Sequence, residues 1–321
     1  MKAAVYYETG GPEVLKYEDV PDPICHPKGI IIRVEAIAIE GGDVLNRFRG
    51  AMPSKPHIVG YQAAGEVIAV GAETTRLKIG DKVATTGQFG SHAELRAVPE
   101  RTVWKVPAGY DLRKAAAIPV TFGTADDCLF EFGHLKRGEI VLVQAGASGV
   151  GVAAIQLARR GGAKMVLATA SSDDRLERLK PLGLDHGINY KRDDVVREVM
   201  RLTDNKGCDL VVDSVGGATL QTSILSLGYR GRVSMVGNAG REPMKVDVGS
   251  MMAGNRSLSG VFLGAEIATD RVHNNIQRLI DEAARGELQV IIDKTFPLSH
   301  AADAHRYIES RQAVGRVVLI P

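Results

Sequence analysis

The chain is poor in cysteine: Cys25, Cys128 and Cys208 are its only three. An odd number at distant positions fits neither a disulfide framework nor a Cys-x-x-Cys metal site. The simple reading is a reducing compartment, which predicts a cytoplasmic protein. The eight histidines are scattered without ligand spacing, so no metal site is expected. No stretch of about 18 uncharged apolar residues occurs, and no membrane span is predicted. The segment from Met1 to Tyr7 lacks an apolar core of signal-peptide length. Neither sign of charge dominates: 40 Lys and Arg face 38 Asp and Glu, a net charge of +2. That balance argues against nucleic-acid or membrane binding through bulk electrostatics. Internal repeats and low-complexity tracts are also missing.

What is present suffices for a large core, with 45% apolar and 24% charged residues. The length predicts about two domains of roughly 150 residues each. The 36 glycines point to many tight turns, or to backbone lying against a ligand. Up to about residue 118 the pattern is of short strands and turns. The apolar runs 29–38 (GIIIRVEAIA) and 64–71 (AGEVIAVG), then 93–98 and 103–106, are the strand candidates. Near residue 119 strands and helices begin to alternate. Strands are predicted at 140–144, 165–170, 187–190, 210–215, 232–236 and 258–262. Helices are predicted at 149–160, 173–182 and 193–202. Six strands with helices between them predict an α/β fold, a doubly wound parallel sheet. A helix at 274–285 and strands at 290–296 and 316–320 are expected to return to the first domain. The predicted division is 1–120 with 265–321, and 121–264.

The strongest local signal is Gly146-Ala147-Ser148-Gly149-Val150-Gly151. An apolar strand precedes it and a helix follows. Small residues there let the backbone turn sharply and approach a pyrophosphate, to which the helix N-terminus offers N–H groups and partial positive charge. Ser148 stands where the usual pattern has its second glycine. A merely structural turn is the competing reading. The next strand ends Ala168-Thr169-Ala170-Ser171-Ser172, without the acid that ordinarily holds the ribose hydroxyls of NAD. Hydroxyls from Ser171 and Ser172, with Arg175 close behind, suit a 2′-phosphate and hence NADPH. Asp173 and Asp174 are read as capping the following helix. The plainer reading of Arg175 is a solvated helix residue.

With these residues in hand, the chain resembles the medium-chain dehydrogenase/reductase superfamily, in its zinc-free quinone-oxidoreductase (zeta-crystallin-like) branch. The resemblance runs nearly the whole length. Its markers are Lys2-Ala3-Ala4 with Gly10-Gly11-Pro12, the segments 60–70 and 77–83, Ala116-Ala117-Ile118-Pro119 through Gly123-Thr124-Ala125, residues 146–151, Asp213 to Gly217, and Gly315-Arg316-Val317-Val318. It implies a GroES-like β-rich catalytic domain joined to a Rossmann domain, with NADPH in the cleft and a homodimer formed through an edge strand. It further implies that Thr124 approaches the nicotinamide amide. Ser171, Arg175 and Tyr190 would hold the ribose phosphate, Gly237, Asn238, Phe262 and Leu263 would border the nicotinamide half, and Arg316 would close over the cofactor. For each of these, packing or solvation is the alternative. Zinc-dependent members carry an early Cys, a Gly-His-Glu segment and a four-Cys lobe. Here the segment reads Gly60-Tyr61-Gln62 and only three Cys exist.

The departures concentrate after the third strand. Glu40 occupies a position where the family often has Asn, and Leu45 one where it has Tyr. Asp43 and Arg47 match, and are read as a structural pair. Three roles for Glu40 stand open: bonding a ribose hydroxyl, relaying a proton if desolvation raises its pKa, or pointing away from the site. Hydride transfer belongs to the cofactor. A quinone takes its proton from water, so no side-chain acid is required, whereas alcohol oxidation needs a Lewis acid or base. The sequence therefore reads as an NADPH:quinone reductase. The alternatives are a reductase of α,β-unsaturated carbonyls or enoyl thioesters, and an NADPH-binding redox sensor with little turnover.

Overall fold

Apolar runs that alternate up to residue 118 and become continuous from 140 build two different kinds of sheet. The computed structural model describes residues 1–321. One compact unit is Met1–Val120 with Glu266–Pro321, and the other is Thr121–Ala265.

The first unit contains β1 (Lys2–Tyr6), β2 (Lys16–Asp19), β3 (Gly29–Ala38), β4 (His57–Ile58), β5 (Gln62–Val70), β6 (Lys82–Thr86), β7 (Leu95–Pro99) and β8 (Val103–Lys105). The parallel strands of the second unit are β9 (Ile140–Val143), β10 (Met165–Ala170), β11 (His186–Asn189), β12 (Cys208–Asp213), β13 (Leu227–Met235) and β14 (Ser257–Gly260). The chain then returns to the first unit with β15 (Ile292–Pro297) and β16 (Arg316–Ile320).

In β3 the side chains of Ile30, Ile32 and Val34 enter the core while Arg33 and Glu35 stay out, the period of two expected of a half-buried strand. Glu66 and Lys82 continue the outer face as cross-strand ion pairs with Arg33 and Glu35. A seven-stranded sheet runs β15-β16-β3-β5-β6-β8 with β7 also on β3, and a three-stranded sheet runs β2-β1-β4. The antiparallel pairing of β16 with β3, Val318 opposite Ala38, brings the chain's last strand to the end of β3. The segment after β3 forms a helix at Gly41–Arg49, which the sequence reading did not anticipate. Arg47 in it ion-pairs with Glu309 at 2.9 Å, so the acid it meets comes from the Ala301–Glu309 helix. Asp43 accepts from the backbone N–H groups of Glu40 and Tyr61.

The second unit has strand order β11-β10-β9-β12-β13-β14, every pairing parallel. This is the doubly wound order, reversing between β9 and β12. Ligands in such sheets bind outside the carboxyl ends of the strands at that reversal. The helix expected over 173–182 is cut short. An α-helix covers Asp173–Glu177 and a 3₁₀ turn covers Lys180–Leu182, because Pro181 supplies no N–H and its ring clashes with the preceding turn. The helix capped by Asp194 begins at Val195. That expected at 274–285 runs Asp270–Ala284, capped by the Thr269 side chain. A helix at Pro119–Asp126 followed by a π-turn at Asp127–Glu131 carries Thr124.

Two fully buried histidines meet in the first unit: His92 Nε2 lies 3.0 Å from His305 Nε2. One nitrogen carries the shared proton and the other accepts it. Burial pulls His92 down to about 3 and His305 well below the usual range. The unfolded chain takes up these protons below about pH 6.5 and the native state does not. Stability contributed by the pair is therefore present above pH 6.5 and lost on acidification. In urea titrations at pH 7 and pH 5, His305→Leu is expected to lose less stability over that interval than the unsubstituted chain, by roughly 1 to 2 kcal/mol. Equal losses would contradict this account of the pair.

Candidate functional site

At the carboxyl end of β9 the backbone turns through Ala145, at φ +51°, into the Gly149–Arg160 helix. Two positions in the turn tolerate no side chain. A Cβ on Gly146 would lie 2.6 Å from the Ala168 methyl, and one on Gly151 would lie 2.5 Å from the Ala145 carbonyl oxygen. Ser148 is the N-cap, its hydroxyl accepting from the Gly151 N–H at 3.1 Å. The serine in place of a glycine thus fixes the helix start. The Gly149 and Val150 amides, first in the helix, have no carbonyl within it to bond. They and the helix dipole form a cradle suited to a phosphate anion.

Beneath the turn runs a buried polar chain that sequence reasoning missed. The Ala145 N–H donates to Thr169 Oγ1, and that hydroxyl donates to Gln144 Oε1 at 2.8 Å. Gln144 Nε2 donates to Ser223 Oγ at 3.1 Å, and Ser223 donates to Asp213 Oδ2 at 2.8 Å. Asp213 Oδ1 accepts from the Val215 and Gly216 amides. The chain ties the ends of β9, β10 and β12 to the glycine pair that follows β12. Its signals in the sequence were polar residues in or at the ends of apolar strands, Gln144, Thr169 and Asp213, with Ser223 on the Ala218–Leu225 helix.

At the tip of β10, Arg175 Nη1 donates to Ser171 Oγ at 2.9 Å, and Ser172 caps the short helix through its own hydroxyl. Ser172 therefore takes the capping role expected of Asp173 and Asp174. Ala170 is in register with Asn189 on β11, which sets Ser171 beside Tyr190 at adjacent strand tips. Tyr190 is 43% exposed, so it is not core filler. Past β13, Gly237 packs on Ser214, and Asn238 Oδ1 is buried without a hydrogen-bond partner, an acceptor left for a ligand donor. Leu263 is buried while the neighbouring Phe262 is 72% exposed. Thr124 is buried. These residues, with the turn, fit a phosphorylated dinucleotide lying along the carboxyl edge of the sheet.

The first unit holds the other sequence candidates, Glu40 and Arg316. Glu40 caps the Gly41–Arg49 helix in a reciprocal box with Asp43. Its carboxylate accepts from Gln62 Nε2 and Arg316 Nη2, and Arg316 also donates to the Ile39 carbonyl. Gln62 Oε1 in turn accepts from the Val120 N–H at 3.0 Å. Burial outweighs the pull of Arg316 and raises Glu40 to about 7; burial likewise raises Asp43 to about 8. Gln62, read from sequence only as a residue unlike a zinc ligand, is the clamp on Glu40. No group of three or more His, Cys, Asp or Glu side chains is arranged to hold a metal ion.

Ser223 joins two halves of the buried polar chain. Ser223→Ala leaves Gln144 Nε2 and Asp213 Oδ2 short of a partner, which costs about 1 to 3 kcal/mol. The midpoint of thermal unfolding should fall by roughly 1.5 to 4.5 °C. An unchanged midpoint would show that the chain does not support the sheet edge.

Two family models match this chain: the zinc-binding dehydrogenase family over residues 149–319 and the alcohol dehydrogenase GroES-like domain over residues 26–108. A quinone oxidoreductase of Pseudomonas aeruginosa is 34% identical over 97% of this chain and 97% of its own. A 2-haloacrylate reductase of a Burkholderia species is 32% identical over 99% and 98%. The crystal structure of Escherichia coli quinone oxidoreductase complexed with NADPH is 28% identical, covers 100% of both chains and superposes with a TM-score of 0.94. The chain belongs to the medium-chain dehydrogenase/reductase superfamily, in its quinone-oxidoreductase branch.

Proposed function

We propose that this protein is an NADPH-dependent reductase that passes a hydride to a quinone and works without zinc. The observation that carries the reading is the cradle between β9 and the Gly149–Arg160 helix, set beside a β10 tip bearing Ser171 and Arg175. In this reading the turn 146–151 holds the pyrophosphate, and Ser171, Ser172, Arg175 and Tyr190 hold the 2′-phosphate by charge-assisted bonds. Thr124, Gly237, Asn238, Phe262 and Leu263 border the nicotinamide. Bound NADPH supplies the hydride, and the protein supplies orientation and a dry site. The quinone gains two electrons and one proton with the hydride, and takes its second proton from water. No Lewis acid is needed. Gln62 stands in the segment where zinc-dependent members have Gly-His-Glu, and it bonds Glu40 instead.

A second reading, reduction of an activated alkene, is favoured by Glu40. An alkene needs a hydride at one carbon and a proton at the next. A buried carboxyl raised to about 7 is half protonated near neutral pH and suits that task. The haloacrylate reductase among the relatives supports it. Arg316 then serves Glu40, holding its carboxyl in one orientation.

The remaining proposals concern setting. The three thiols, none in a disulfide, support a cytoplasmic location, and no helix is long and apolar enough to cross a membrane. An edge strand, β14, with Tyr229 72%, Val248 63% and Met252 75% exposed nearby, supports a homodimer through that edge.

The test is NADPH consumption with an ortho-quinone and, separately, with 2-chloroacrylate, for the unsubstituted chain and Glu40→Gln. Quinone turnover that survives Glu40→Gln within about threefold is expected, because water supplies the proton. Alkene turnover, if present, should drop by at least about tenfold and fall above pH 7 in the unsubstituted chain. Turnover with neither acceptor would refute both readings.

A further inference from the structure

The short helix after β10 opens on an acid that does not suit a site for a phosphorylated ribose. Asp173 lies two residues past Ser171, just beyond the strand end from which an acid ordinarily bonds the ribose hydroxyls of NAD. A free carboxylate there would repel a 2′-phosphate. The structure instead turns it toward β11. Asp173 Oδ2 accepts from Arg192 Nη1 at 2.7 Å, and Oδ1 accepts from Asn189 Nδ2 at 3.2 Å.

Arg192 is held for this purpose by the backbone and by a second acid. After β11 the chain makes a tight turn in which the Arg192 and Asp193 amides both donate to the Asn189 carbonyl, at 2.9 and 2.8 Å. The Asn189 side-chain oxygen accepts from the Lys191 amide at 3.2 Å. Asp193 takes the other edge of the guanidinium, with Nε to Oδ1 at 2.9 Å and Nη2 to Oδ2 at 3.0 Å. Each carboxylate thus occupies its own edge of the fork. The guanidinium bonds both acids, while Arg175, in the short helix after β10, bonds Ser171.

We propose that Arg192 is a specificity-determining residue. It pairs with Asp173 and, with Asn189, holds that carboxylate toward β11 and away from the ribose, which admits a 2′-phosphate at Ser171 and Arg175 and denies NADH its usual acidic acceptor. Arg192 acts through Asp173 and is a positioning residue. The inference rests on the NADPH reading above.

The test is calorimetric titration with 2′,5′-ADP and with 5′-AMP at low salt. The proteins are the unsubstituted chain, Arg192→Ala, Asp173→Asn and the double variant. The pair is exposed, 62% for Arg192 and 60% for Asp173, so little folding stability depends on it. The unsubstituted chain should bind 2′,5′-ADP the more tightly. Arg192→Ala should weaken 2′,5′-ADP about fivefold or more and leave 5′-AMP unchanged or tighter, an effect that shrinks as salt is added. Adding Asp173→Asn to Arg192→Ala should restore 2′,5′-ADP binding. A loss that Asp173→Asn does not restore, an equal loss for both nucleotides, or no loss at all would overturn the proposal while leaving the NADPH reading intact. If the unsubstituted chain itself shows no preference for 2′,5′-ADP, both fail together.

Discussion

A peptide backbone can lie against a phosphate only where no side chain intervenes, and that constraint governs the second unit. Residues 146 and 151 have no room for a Cβ, so the turn after β9 closes directly onto the start of the following helix. Everything around it serves to keep it closed. Thr169 and Gln144 hold the turn to β10, and Ser223 and Asp213 extend the same bonds to β12. In a low-dielectric interior these polar groups are costly if unpaired and rigid when paired. The sheet edge is therefore preorganised before any ligand arrives.

The first unit is built around a different constraint, a carboxyl without water. Burial raises both Glu40 and Asp43, and the Glu40 charge adds to the rise of Asp43. Arg316 and Gln62 meet one carboxyl, and backbone amides meet the other. The outcome is a group balanced between its two protonation states near neutral pH. Such a balance is common where proton transfer occurs, and also arises in structural ion-pair networks. A quinone makes no demand on it, while an alkene does.

The legible parts were those whose cause is local. Apolar strand, small-residue turn and helix follow one another within about 20 residues, so the turn and the parallel sheet were both visible in the sequence. The β-rich unit and the return of the last strand followed from the change of pattern and the family resemblance. What stayed hidden depends on partners far along the chain. Gln62 meets Glu40 across 22 residues and Arg316 meets it across 276. Arg47 meets Glu309 across 262. The helix after Glu40 escaped notice because its capping box is made of two acids, not Ser or Thr with Glu. Pro181 interrupts the helix begun at Asp173, although the hydrophobic periodicity runs on past it.

On the proposed reading, NADPH gives up its hydride directly to a quinone. The most direct measurement is a single turnover. Protein preloaded with NADPH, or with NADPH deuterated on one face of nicotinamide C4, is mixed with an ortho-quinone while the reduced-nicotinamide absorbance is followed. The account predicts loss of that absorbance in one exponential phase, slower for the deuterated cofactor on one face only. Bound NADPH that keeps its absorbance in the presence of quinone would contradict it.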